Sequence, residues 1–93
     1  MTTNYINYNN LPAHMRGAAR LYVEHGIEPG SFLTAVICND LAGAIGKADD
    51  VNRAEIWEWV NFFNNDAPSG CSGSLAKFCA WIAKGGMKQE QVA

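Results

Sequence analysis

The 93-residue chain carries seven Lys and Arg against nine Asp and Glu, a formal net charge of −2, and 48% of its residues are hydrophobic. That length holds one domain with one core, and that hydrophobic content excludes intrinsic disorder. The acidic balance, with basic residues scattered and never in a run, excludes a general nucleic-acid binder, which presents a basic face.

Residues 1–10, MTTNYINYNN, are polar and show no periodicity. They read as a flexible N-terminal arm; the alternative is that Tyr5, Ile6 and Tyr8 pack on a neighbouring subunit or close over a site. Asn10 followed by Leu11-Pro12 predicts the start of the first helix, with Asn as N-cap and Pro in the first turn. Leu11, Met15, Ala18, Ala19 and Tyr22 form one apolar stripe, and Arg20 and Glu24, four apart, are placed to pair. His14 and His25 lie about 16 Å apart along a helix axis, too far to share a metal, and read as surface or interface residues. Gly26 predicts the helix end.

The longest apolar stretch, Pro29–Asp50, predicts one central helix. At 100° per residue, Leu33, Ile37, Leu41, Ala44, Ile45 and Ala48 cover about 120° of its surface, and Asp40 falls near the middle of the wider apolar arc. A carboxylate there must find a partner, because an unpaired buried charge is too costly: an arginine, backbone N–H groups, a second subunit or a ligand. Asn39 sits on the shoulder beside it. Asn39 and Asp40 are therefore the first candidate ligand-binding residues.

Asp49 or Asp50 caps the third predicted helix, and Asn52 with Glu55 has capping-box spacing. Its apolar arc holds Val51, Ile56, Trp59, Val60, Phe62 and Phe63, and Trp57 lies outside that arc beside Arg53, Asn61 and Asn64. Trp57 either packs beneath the next loop or serves as a stacking platform or partner hot spot, with Arg53 supplying charge. The loop Ser69-Gly70-Cys71-Ser72-Gly73-Ser74 then opens the fourth helix, whose stripe is Leu75, Phe78, Cys79 and Ile82 and which stops at Gly85-Gly86. Small residues before a helix N-terminus suit a phosphate or carboxylate, which makes Ser69, Ser72 and Ser74 candidates; the alternative is that Ser72 or Ser74 is simply an N-cap. The loop is no P-loop, since no Gly-Lys-Ser/Thr follows.

Four helices joined by short connections predict an all-α domain over residues 11–86, a compact, oligomeric bundle of about four short helices, with residues 87–93 as a solvated tail. Cys38, Cys71 and Cys79 are odd in number and lack metal-ligand spacing. Cys38 and Cys79 read as small core residues and Cys71, in a loop, as the more reactive thiol. No catalytic triad, metal or cofactor motif is spelled. The chain shows neither a positively charged signal-peptide start nor an apolar run of membrane-spanning length, so reduced thiols in the cytoplasm are expected.

Leu11-Pro12-x-His14-Met15-Arg16, Tyr22-Val23-Glu24-x-Gly26-Ile27-x-Pro29-Gly30-x-Phe32-Leu33, Asn39-Asp40-Leu41 and Ala67-Pro68-Ser69-Gly70-Cys71-x-Gly73-Ser74 resemble a family of short, all-helical phage- and prophage-encoded proteins. The likeness spans about residues 11–86. It departs at Ser72, where many such proteins carry Trp. The resemblance implies a phage setting and a counter-defence role, with no activity attached to particular residues. The expectation is a non-enzymatic sponge, an oligomer that withholds a nucleotide-derived immune signal from its host effector. The alternatives are a protein inhibitor of a host defence complex, such as CRISPR machinery, or a phage assembly module; hydrolysis comes last.

Overall fold

The computed structural model describes residues 6–87. Among them there are six α-helices and no strand: α1 (Arg16–His25), α2 (Ser31–Ile37), α3 (Leu41–Lys47), α4 (Asp50–Ala54), α5 (Ile56–Asn61) and α6 (Leu75–Lys84). A 3-10 turn, Ala13–Met15, leads into α1, and a π-helical segment, Phe62–Asp66, continues α5. The all-α class stands; the helices are shorter and more numerous than periodicity predicts.

The central helix is the main correction. It breaks at Cys38–Asp40, and α2 and α3 pack against one another as separate elements. Asn39 takes the left-handed conformation, φ 65°. Its N–H reaches Val36 O at 3.1 Å, and the Asp40 N–H reaches Ala35 O at 2.8 Å. These two bonds are a Schellman stop, with Asn in the position where the missing steric cost of a short polar side chain matters. Asp40 then starts α3: its carboxylate accepts from the Gly43 N–H at 3.0 Å. Asp40 is exposed rather than buried in an apolar arc, because the break turns α3 away from the axis of α2. Its partner is a backbone amide. A Cβ on Gly43 would meet the Asp40 carboxylate, so a larger residue there would displace the capping side chain.

The third predicted helix also divides. Asp49 caps α4 by accepting from the Asn52 N–H at 2.7 Å, but Asn52 forms no capping box with Glu55. Its side chain turns inward, 2% exposed, and accepts from the Trp59 indole N–H at 3.2 Å. The chain kinks at Glu55 (φ −105°, ψ 20°) before α5 begins. After Asn61 the winding loosens, with the Ala67 N–H bonded to Phe62 O, and consecutive Phe62 and Phe63 are both buried.

Trp59, fully buried, anchors the core. Phe32 meets it edge-on at 5.6 Å and Phe63 stacks at 6.5 Å. Tyr22 stacks on Phe78 at 5.7 Å and its hydroxyl donates to Cys71 O at 2.6 Å, tying the Ala67–Ser74 loop to α1. The predicted α1 stripe holds: Leu11, Ala19 and Tyr22 are buried, with Met15 and Ala18 packed against them. Gly26 (φ 68°) and Gly85 (φ 85°) end α1 and α6 in the left-handed conformation, as their placement predicts.

The expected arm, 1–10, lies partly outside the described residues. Within 6–10, Tyr8 is buried, its ring 5.4 Å from Phe62. Its hydroxyl donates to Glu24 at 2.9 Å, and the Arg20 guanidinium lies over its ring at 5.0 Å. Arg16 donates to Asn9 O and Leu11 O. Of the expected tail, 87–93, only Met87 is described.

Candidate functional site

The Asn39–Asp40 break forms a wall between two depressions. On one side a shallow apolar groove runs between α3 and α5, bounded by Val36, Leu41, Ala44, Ile56 and Val60 with Asn39 and Asp40 at its edge. It continues past Val36, Asn39 and Val60 to Phe63, Asn64, Ser72 and Gly73. On the other side an open cleft of about 490 Å³ is lined by Ser31, Thr34, Cys38, Asp40, Lys47 and Leu75, among others. That volume is the size that holds a small organic ligand, whereas the groove becomes enclosed only when something covers it.

Asn39 borders both parts of this groove, with its neighbour Asp40 along the first part and Ser72, more than 30 residues further along the chain, along the second. The Asn39 side chain makes no hydrogen bond to any described residue, and its amide offers both donor and acceptor capacity. Trp57 is 67% exposed, so it packs beneath no loop. It shares a helix face with Val60 and Asn64 by the three- and four-residue spacing, and both of these line the groove.

The other candidates fall elsewhere. Arg53 is held by Asp50 at 3.3 Å and by Ala48 O at 3.3 Å, before the Glu55 kink that separates it from Trp57. Ser74 is the N-cap of α6, accepting from the Lys77 N–H at 3.1 Å. Ser69 is exposed and lines neither depression. The loop serves the fold: the Gly73 N–H donates to Ile37 O at 2.8 Å.

The thiols are also redistributed. Cys71 is fully buried, and burial pushes its pKa up to about 11. It is sealed from reagents, contrary to its reading as the more reactive thiol. Cys79 is exposed and Cys38 half-buried, so neither is a closed core residue. His14 is a surface residue, paired with Asp49 at 2.9 Å. Among the described residues no group of three or more His, Cys, Asp or Glu is arranged to hold a metal ion, and no helix is long and apolar enough to cross a membrane.

Sequence reasoning missed Asn64, Val36 and Val60 as groove residues, and Lys47 and Ser31 as cleft residues. The 57, 60, 64 spacing on one helix face carries the signal for the first group. No local signal carries the second, because the cleft exists only where α2, α3 and α6 meet. Comparison with protein-family models, curated proteins and solved structures found no match.

Proposed function

We propose that this protein is a non-enzymatic binding protein that sequesters a nucleotide-derived signalling molecule, in the manner of a phage counter-defence sponge acting in the host cytoplasm. The observation that carries this reading is Asn39. Its backbone is locked by the Schellman bonds, its amide is uncommitted, and it borders an apolar groove. That combination suits the edge of a nucleobase, with apolar walls against the ring faces and the amide reading donor and acceptor atoms. Trp57 adds an exposed aromatic surface on the same helix face, suited to stacking.

The groove is shallow, so the reading requires a second subunit to cover it. Leu41, Val51, Trp57 and Val60 are 66%, 52%, 67% and 46% exposed, and apolar side chains left in water by a folded monomer are the ordinary material of a homo-oligomeric interface. The exposed Trp57 also favours the second reading, an inhibitor that docks on a host protein through a tryptophan hot spot.

Native mass spectrometry of protein purified from a host with active defence systems separates these readings. A sponge emerges as an oligomer with retained small-molecule mass, and a nucleotide at ~100 times its Kd stabilises it by about 2.7 kcal/mol. Asn39→Gly keeps the left-handed backbone while deleting the amide, and Trp57→Ala, on an exposed site, shifts stability by less than about 0.5 kcal/mol. Both substitutions weaken ligand retention at least tenfold. A bare monomer indifferent to nucleotides, or a complex with one host protein, rejects the sponge.

A further inference from the structure

A third depression lies against α1 and shares no lining residue with the groove or the cleft. It is lined by Ile6, Tyr8, Asn9, Arg16, Gly17 and Arg20 and has a volume of about 240 Å³. Two guanidinium groups thus face one hollow whose lining holds no carboxylate, in a chain that is acidic as a whole. No acidic residue stands in the first turn of α1 either.

Arg16 and Arg20 are four apart on α1, so they project from successive turns of one face. Each is held in place. Arg16 donates from Nε to Leu11 O at 3.0 Å and from Nη2 to Asn9 O at 2.8 Å. Both acceptors are neutral carbonyls. The Arg16 charge therefore meets no carboxylate among the described residues, and its Nη1 keeps donors unused. The Arg20 guanidinium lies over the Tyr8 ring at 5.0 Å, with Nε 3.6 Å from Glu24. That ion pair is long, and the same Glu24 oxygen accepts from the Tyr8 hydroxyl at 2.9 Å, so Glu24 neutralises Arg20 only in part. Gly17, directly after Arg16, leaves the hollow open: a Cβ there would meet nothing within 4 Å.

We propose that this hollow binds a phosphate dianion, free or carried by a small ester, gripped by Arg16 and Arg20 beside Gly17. Two fixed guanidinium forks match a tetrahedral group with three acceptor oxygens and nearly two negative charges, whereas a carboxylate is satisfied by a single fork. The volume falls below the roughly 300–1,000 Å³ that holds drug-sized ligands, which limits the occupant to the phosphate and a short organic remainder against Ile6. The site is independent of the ligand reading above, since none of its residues borders the groove.

The test is calorimetric titration of the full-length chain with inorganic phosphate and, separately, with glycerol phosphate, at low ionic strength, while NMR follows the backbone amides. A Kd below about 1 mM is expected, weakening as added salt screens the charges, with the largest amide shifts at Asn9, Arg16, Gly17 and Arg20. Tighter binding of glycerol phosphate identifies an ester as the ligand, and tighter binding of inorganic phosphate identifies the free ion. Gly17→Leu keeps both arginines, favours the helix and fills the hollow. Arg20→Gln, at a side chain 61% exposed, keeps the fold and removes one charge. Each weakens binding at least about tenfold, while Arg53→Gln, Asn39→Gly and Trp57→Ala, all outside the hollow, leave it unchanged. Absence of binding up to about 10 mM phosphate, affinity indifferent to both Gly17→Leu and Arg20→Gln, or an equal loss in Arg53→Gln would each overturn the proposal.

Discussion

Two regions of this molecule handle their surfaces in opposite ways. Where α1 and α6 end, the two backbones close on each other. The Gly26 and Gly86 backbones approach so nearly that a Cβ on Gly86 would lie 2.6 Å from the Gly26 nitrogen, and one on Gly26 would lie 2.7 Å from the Gly86 nitrogen. The Trp81 indole N–H donates to both Tyr22 O and Val23 O at 3.1 Å, and its ring is 3% exposed with Lys84 over it at 4.2 Å. Between α3 and α5 the reverse holds. The helices are seven and six residues long, Leu41, Trp57 and Val60 remain in water, and Asn39 keeps an unused amide. The contrast teaches a division of labour: the clasp holds the fold, and the open side retains apolar surface that folding did not consume and that binding can.

Substitutions should expose that division, and Trp81→Ala should show it most strongly. It removes a large buried ring and one donor to the Tyr22 and Val23 carbonyls, of which Tyr22 O keeps its bond from the Gly26 N–H, at a cost of about 3–5 kcal/mol. For a small domain that is much of the total stability, and urea denaturation measures it. Gly86→Ala follows. The left-handed φ of 77° costs a Cβ about 1–2 kcal/mol, and backbone overlap adds about 1–3 kcal/mol. Gly30→Ala, where nothing lies within 4 Å of the added carbon, is the steric control and should cost no more than about 1 kcal/mol, the N-cap difference between Gly and Ala at the start of α2. If Gly86→Ala proves equally mild, the clasp is not what holds the fold.

On the open side the effects shrink. Asp40→Ala loses the cap of α3 and costs about 1 kcal/mol, whereas Asp40→Asn, an equally good cap, leaves stability nearly unchanged. Thermal denaturation of the pair tells capping from charge: if both fall alike, the carboxylate charge matters beyond its bond to Gly43. The smallest effect belongs to Asp49. Its bonds to the Asn52 N–H, first, and to His14 hold its carboxyl below the ordinary 3.8. A depressed folded pKa contributes stability that is present above the unfolded value and lost as pH falls through the folded one. Melting temperature followed from pH 5 downward should therefore drop less steeply for Asp49→Asn than for the unsubstituted chain. Identical slopes would remove Asp49 from the acid response.

The local grammar of the helices is legible in the residues. Gly26 and Gly85 stop α1 and α6, Asp49 and Ser74 cap α4 and α6, and the Leu11–Tyr22 stripe faces the core. Each rests on contacts between residues at most a few positions apart, so a single segment contains the whole cause. The break at Asn39-Asp40 is written locally as well, as an Asn that can adopt the left-handed stop and an Asp that can cap. The continuous apolar arc from Leu33 to Ala48 masks it, because periodicity sees only side-chain character and not the competing hydrogen bonds of the backbone.

What the sequence by itself determined, then, is the all-α class, the single core and the helix ends at Gly26, Asp49, Ser74 and Gly85, whereas the expected Asn10 cap gives way to Pro12 and Met15. Only the tertiary structure decided which residues meet. Trp57 is exposed while Trp59, two positions on, is sealed against Phe32 and Asn52. Cys71 is enclosed because Tyr22, 49 residues away, binds its carbonyl. Asn39 borders a groove that reaches Asp40 on one side and Ser72 on the other because residues of α2, α3, α5 and the 67–74 loop line it together, while Arg53, Ser69 and Ser74 are left outside it. Burial and convergence depend on how distant faces dock. That free energy comes from apolar surface removed jointly by many segments, and no one of them carries the information alone.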